Sequence, residues 1–383
     1  MFVPINSAGN KSSWTLFAAL VVVVIFLCIE TNAAFAYDYA EGPLGTTQIH
    51  QAWVRIPIYF VTDRKLDENA NGLKFTNVRN ENTLSYGVEY LPVPASKSAC
   101  QSLDDLRSIG WYKMLGNLEF GPSSLFIPDD LSKFKTTTLS KTELIQQVKQ
   151  QVDSCAQHEI ILLLHGCCVN HTDTVKRAGN LAIQFRRPIL VYDWCALPPI
   201  GQYVRNEALY EQAKDNFFDF MDALDGTIHH NSVIMVGHSM GARFLDDYLQ
   251  KMADLKRVAG DEQFNDVFWA QADVDAESFI HHQPKIAKTW QHCHISTSNK
   301  DTALQMSGIP RYPRLSNPGM LLLNNLAKLG RENIVDTSHF KFGPAGHDMP
   351  MWLMASMHAG EIGHDDEFFL KRRTGNLFDF IRK

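Results

Sequence analysis

From Ile160 onward, short uninterrupted apolar runs alternate with longer amphipathic segments, and this alternation constrains the fold more than any other feature of the chain. Ile160–Leu164 is apolar at every position and ends in His165-Gly166, the form of a strand covered on both faces. Thr172–Phe185 carries Val175, Ala178, Ala182 and Phe185 at near-helical spacing. Further strands are expected at Ile189–Tyr192, Val233–Val236, Val267–Ala272, His294–Thr297 and Asn333–Thr337. Helices are expected at Asn206–Leu224, Met240–Lys251, Ala276–Trp290, Leu321–Leu329 and Met349–His358. Strand and helix in such repetition predict an α/β protein with a mostly parallel sheet and helices on both faces.

Upstream, Val54–Thr62 and Leu84–Val93 read as antiparallel strands extending the sheet edge, and Ala95–Thr138 as an irregular excursion over the surface. Ser140-Lys141-Thr142-Glu143 is a capping box opening a helix to about Cys155. Neither a repeat nor a low-complexity linker divides the chain. Residues 37–157 therefore read as an elaboration of the same domain whose core is 158–383.

Residues 1–36 have the pattern of an export leader. Lys11 precedes the apolar stretch Leu16–Ile29, and Ala34-Phe35-Ala36 supplies a small-residue cleavage site. The apolar core is shorter than the ~20 residues that span a bilayer, so cleavage is favoured over an uncleaved anchor that would associate with a membrane. Export, to a periplasmic or extracellular location, predicts disulfides among Cys100, Cys155, Cys167, Cys168, Cys195 and Cys293, with Cys168–Cys195 and Cys100–Cys155 the favoured pairings. Lys plus Arg number 36 against 42 Asp plus Glu, with no long run of like charge, which excludes a dedicated nucleic-acid binder.

The chemistry concentrates at Gly237-His238-Ser239-Met240-Gly241, a G-x-S-x-G between a buried strand and a helix. Small residues two before and two after the serine allow a sharp turn that projects its hydroxyl from the sheet top. A nucleophilic serine needs oxyanion donors: the N–H of the following residue, Met240, and an N–H from an earlier strand-end loop, where Cys167 stands in His165-Gly166-Cys167-Cys168. The base and acid should follow the serine in the chain. His347, in Gly346-His347-Asp348, follows the last expected strand through a short loop and is preferred to His339, His358 and His364. Asp301, just past the penultimate strand, is the preferred acid, with Asp275 the alternative. His281-His282 and His292-Cys293-His294 hold ligand-type residues, but the latter run puts only two on one strand face, too few for zinc, and neither metal nor cofactor is expected.

With these residues in place the sequence resembles the α/β-hydrolases, and more narrowly a bacterial branch of that superfamily without an assigned function. The resemblance rests on Thr62-Asp63-Arg64, Tyr86-Gly87-Val88-Glu89, the His165-Gly166 loop, Trp194, G-H-S-M-G, Asp273-Val274-Asp275, the stretch ending in Asp301, and Gly346-His347, running from about Arg55 to the end. It implies a serine hydrolase with Ser239, Asp301 and His347 as its triad. Cys167-Cys168 and Cys195 depart from the pattern, in keeping with an exported form stapled by disulfides. An open apolar cleft, offered by Leu197-Pro198-Pro199-Ile200, suggests small-molecule carboxylic esters of short or medium acyl chains. An envelope acyltransferase and a non-catalytic binding protein on the same scaffold are the competing readings.

Overall fold

The computed structural model describes residues 53–67, 74–81, 83–94, 135–255, 263–308, 313–330, 332–343, 345–360 and 368–382. The leader, Cys28, Cys100, His364 and the excursion as far as residue 134 lie outside them. In chain order the strands are β1 (Trp53–Thr62), β2 (Arg64–Asp67), β3 (Lys74–Arg79), β4 (Ser85–Pro94), β5 (Lys135–Leu139), β6 (Ile160–Leu164), β7 (Ile189–Asp193), β8 (Val233–His238), β9 (Phe264–Ala270), β10 (Trp290–Thr297), β11 (Glu332–Asp336), β12 (Phe368–Thr374) and β13 (Leu377–Arg382). The helices are α1 (Lys141–Ser154), α2 (His171–Phe185), α3 (Tyr203–Asp225), α4 (Gly241–Leu255), α5 (Ala276–Ile286), α6 (Thr302–Gly308), α7 (Gly319–Leu326) and α8 (Met351–His358).

Among the described residues an 11-stranded sheet runs in the order β12-β13-β11-β10-β9-β8-β6-β7-β1-β4-β5, with β2 and β3 forming a separate hairpin. From β13 to β1 every neighbouring pair is parallel. The antiparallel pairs are β12 with β13 at one edge, and β1 with β4 and β4 with β5 at the other.

The uninterrupted apolar runs are strands with a helix layer on each side. Ile160, Leu162 and Leu164 of β6 point into one buried cluster and Ile161 and Leu163 into the other, as side chains of a strand alternate between faces. The larger cluster packs α1, α3, α4 and α5 through residues such as Leu144, Phe217, Phe244 and Phe279, the smaller packs α2 and α8 through Leu181 and Met354. Phe244 meets Tyr192, Tyr210 and Phe217 edge-on, arrangements in which the positive ring edge faces a negative ring face. The capping box forms as expected: the Glu143 amide donates to Ser140 Oγ at 3.2 Å and the Ser140 amide to Glu143 Oε2 at 2.7 Å.

Four expectations are corrected. The strand β1 is not solely an antiparallel appendage: it pairs parallel with β7 as well as antiparallel with β4, and among the described residues β4 and β5 extend the sheet beyond it. Residues 135–139, assigned in part to an irregular excursion, form β5. The helix expected to reach Trp290 ends at Ile286, because the Thr289 amide and hydroxyl turn back onto the Ile286 carbonyl and Trp290 already begins β10. The bridges fail too: Cys155, Cys167, Cys168, Cys195 and Cys293 are all free. Cys168 faces the Asn206 amide, whereas Cys195 is buried beside Asp63, Arg64 and Asp193, so the two sulfurs serve different surroundings.

Candidate active site

The chain turns from β8 into α4 through His238-Ser239-Met240, with Ser239 in the left-handed region at φ +53°. An L-residue there is strained by about 1–3 kcal/mol and persists only where its surroundings hold it. Here the Ser239 amide donates to the Ala270 carbonyl at 3.1 Å, and its own carbonyl accepts the Asp273 amide at 3.0 Å and the Ala242 amide at 3.1 Å. The two glycines have steric causes. A Cβ on Gly237 would lie 2.7 Å from the Ala242 Cα, and one on Gly241 would lie 2.0 Å from the Leu164 carbonyl oxygen. G-x-S-x-G is thus the imprint of α4 passing hard against β8 and the end of β6.

The three residues named from the sequence meet. His347 Nε2 is 2.8 Å from Ser239 Oγ, and His347 Nδ1 is 2.7 Å from Asp301 Oδ2. Asp301 is fully buried, Ser239 nearly so, and the His347 side chain is 21% exposed, so the imidazole is the wet end of the chain. Asp301 Oδ1 accepts the Leu304 amide at 2.9 Å and caps α6 while the other oxygen faces the imidazole. The loop carrying His347 is pressed onto Asp301: a Cβ on Gly346 (φ +69°) would fall 2.3 Å from the Lys300 carbonyl oxygen. The Thr302 amide and hydroxyl both donate to the Ala345 carbonyl, at 2.9 and 3.0 Å. His238 Nε2 donates to the His347 carbonyl at 2.9 Å, and burial, reinforced by the neighbouring His347, pushes its own pKa far down, keeping it neutral.

The competing residues are engaged elsewhere. Asp275 caps α5 by accepting the Ser278 amide at 2.7 Å. His339 is exposed, and its carbonyl faces Lys300 Nζ. Asp273 is held by Tyr203 (2.5 Å), Arg243 (2.9 Å) and Arg314 (2.9 Å), which fastens the start of α3 beside the serine turn. His292 is exposed, while His294 and His358 flank Asp266 at 2.8 Å each, and His358 also meets Glu159 at 3.2 Å. Among the described residues no group of three or more His, Cys, Asp or Glu is arranged to hold a metal ion.

The loop after β6 abuts the serine: a Cβ on Gly166 would lie 2.7 Å from the Ser239 Cβ. That puts Cys167, the expected amide donor, one residue from the contact, with Met240 directly after the serine. Beneath the loop is a buried charge cluster whose role sequence reasoning did not reach. Arg64 uses all its donors: Nε on both oxygens of Asp193 at 3.0 Å, Nη1 on Asn77 and the Ala196 carbonyl, and Nη2 on the Val169 and Trp194 carbonyls. Burial alone would raise the Asp193 carboxyl, but Arg64 and His171 hold it well below the usual carboxylate range. His171 sits between Asp193 (2.7 Å) and Glu89 (3.1 Å), which outweigh its burial and lift its pKa to about 9. His165 lies 3.1 Å from Asp193 and stacks on Trp194, whose indole N–H donates to the His165 carbonyl at 2.9 Å. The Thr62-Asp63-Arg64 motif marked this cluster, and an aspartate closing the apolar run of β7 was the second available signal.

Residues 140–313 match the family model described as "Alpha/beta hydrolase of unknown function (DUF900)". No curated protein and no solved structure matches the chain. The matched segment takes in Ser239 and Asp301 but not His347, and the sheet continues beyond it on both sides, through β1 and β4 and through β11 to β13. The largely parallel sheet with helices on either face is that of an α/β-hydrolase fold, in agreement with the family that residues 140–313 match.

Proposed function

We infer that the protein is a serine hydrolase acting on carboxylic esters through an acyl-enzyme. The observation that carries this reading is the continuous run of contacts from Ser239 Oγ through His347 to Asp301. In the first half-reaction Ser239 Oγ attacks the ester carbonyl carbon as His347 Nε2 removes its proton, and Asp301 stabilises the resulting imidazolium through Nδ1–H. Negative charge gathers on the carbonyl oxygen, to which the amides of Met240 and Cys167 are assigned as donors, since charge stabilised where it develops lowers the barrier directly. His347 then protonates the departing alcohol, and water, deprotonated by the same imidazole, releases the acid.

Leu197 and Pro198, partly exposed apolar residues on the segment that leads into α3, where Tyr203 is bonded to Asp273 after the serine turn, support acyl chains of short or medium length as the substrate class. Residues 1–36 are assigned to export, which N-terminal sequencing of the mature protein tests. Hydrolysis is tested with a panel of p-nitrophenyl esters of increasing chain length. Release of p-nitrophenol that requires Ser239 supports the reading, and acyl transfer to an added alcohol in preference to water would replace it with an acyltransferase.

A further inference from the structure

Cys167 and Cys168 are adjacent, free and partly exposed, on the loop that presses against the nucleophile turn. The hydrolytic reading uses the backbone amide of Cys167 and no thiol, so the pair has no role in it. Cys168 is in the left-handed region at φ +68°, and its sulfur accepts the Asn206 side-chain amide at 3.5 Å. Contact between the two neighbouring thiols pushes the Cys167 thiol up and draws the Cys168 thiol down, and the Asn206 amide on the Cys168 sulfur stabilises negative charge there rather than on Cys167. Cys168 is thereby the nucleophilic sulfur and Cys167 the resolving one.

We propose that Cys167-Cys168 is a dithiol modification site for low-molecular-weight disulfides, and that closing it into a vicinal disulfide switches off the serine centre beside it. The second half rests on the serine-hydrolase reading. The Cys168 thiolate attacks one sulfur of RSSR, forming a mixed disulfide and expelling RS⁻. Cys167 gives up its proton and attacks the Cys168 sulfur, and the second RS⁻ departs. The two thiol protons end on the two RS⁻, so two electrons pass from the protein to RSSR, which leaves as two RSH.

Geometry connects this bond to the serine. A peptide holds neighbouring Cα atoms about 3.8 Å apart, below the about 4.4–6.8 Å that disulfides ordinarily span. The ring closes only if the Cys167-Cys168 backbone turns, and the Cys167 amide belongs to that backbone. Upstream there is no slack, because Gly166 already lies against Ser239 and His238. The same strain makes the bond easy to reduce, which suits a reversible device.

The test treats full-length reduced protein with oxidised glutathione and follows two signals: mass of the peptide released by cleavage after Glu159 and after Lys176, which holds Cys167 and Cys168 and excludes Cys155 and Cys195, and rate of fluorophosphonate labelling. The expected result is a 2 Da loss in the peptide holding both cysteines and a labelling rate about 100-fold lower, the cost of one oxyanion donor, restored by dithiothreitol. Cys168→Ser should label at the wild-type rate and be indifferent to glutathione disulfide. Failure to form the bond overturns the site, and bond formation with unchanged labelling overturns the switch. Protein that forms the bond but labels in neither state overturns the switch together with the serine reading, while leaving the modification site standing.

Discussion

Asp301 holds His347 with one carboxylate oxygen, at 2.7 Å, and caps α6 with the other, at 2.9 Å. The two tasks can be separated by substitution. Asn caps a helix about as well as Asp but cannot stabilise an imidazolium. Asp301→Asn should keep its melting temperature within about 2 °C while kcat on an activated ester falls about 10⁴-fold. A comparable loss of melting temperature and activity together would show that the carboxylate serves the fold alone.

Asp275→Ala is the converse experiment. Removing a helix cap costs about 1 kcal/mol, so the variant should unfold at a lower urea concentration and hydrolyse esters at the wild-type rate. A large drop in kcat with stability intact would reassign the acid to Asp275.

Arg64 is the most heavily committed cation beneath the loop after β6, with every donor used in a site closed to water. Arg64→Met removes the cation that faces both oxygens of the buried Asp193, leaving that carboxylate to His165, His171 and Thr62, which should cost about 3–5 kcal/mol of stability. Chemical denaturation measures this. A loss below about 1 kcal/mol would mean that the cluster relaxes around the missing charge.

The far side of the sheet supplies a pH dependence. Burial alone would lower the His358 pKa, but Asp266 and Glu159 outweigh it and lift it from 6.5 to about 9. A group raised on folding contributes stability that is complete below its unfolded pKa and is lost as pH rises through the folded one. Stability should therefore decline between pH 6.5 and about 9, and His358→Gln should flatten that limb. His171, lifted to about 9, acts in the same window, so His358→Gln removes only part of the slope. An identical slope in wild type and variant would exclude the His358 contribution.

How much of this was legible in the sequence follows from the range over which each feature is encoded. The serine turn was legible because its causes are local: Gly237 and Gly241 are fixed by contacts with Ala242 and Leu164 around one strand and one helix. His347 and Asp301 were found through their positions after successive parallel strands, a regularity of the fold. The pairing of Arg64 with Asp193 spans 129 residues, and nothing in either neighbourhood names its partner. The terminal hairpin was missed although Gly375-Asn376 between two apolar-rich runs is a two-residue turn signal, and β13 then proves to continue the parallel sheet beside β11. The disulfide expectation came from assuming an oxidising compartment and took no account of how the thiols are oriented.

The most direct test of the central claim is the rate of fluorophosphonate labelling of reduced protein at neutral pH, compared with Ser239→Ala and His347→Ala. The hydrogen-bond chain from Ser239 to Asp301 predicts one label per chain, at Ser239, none in Ser239→Ala, and labelling slowed by at least about 10³-fold in His347→Ala. Folded wild-type protein that takes up no label, or labels as fast without His347, would contradict it.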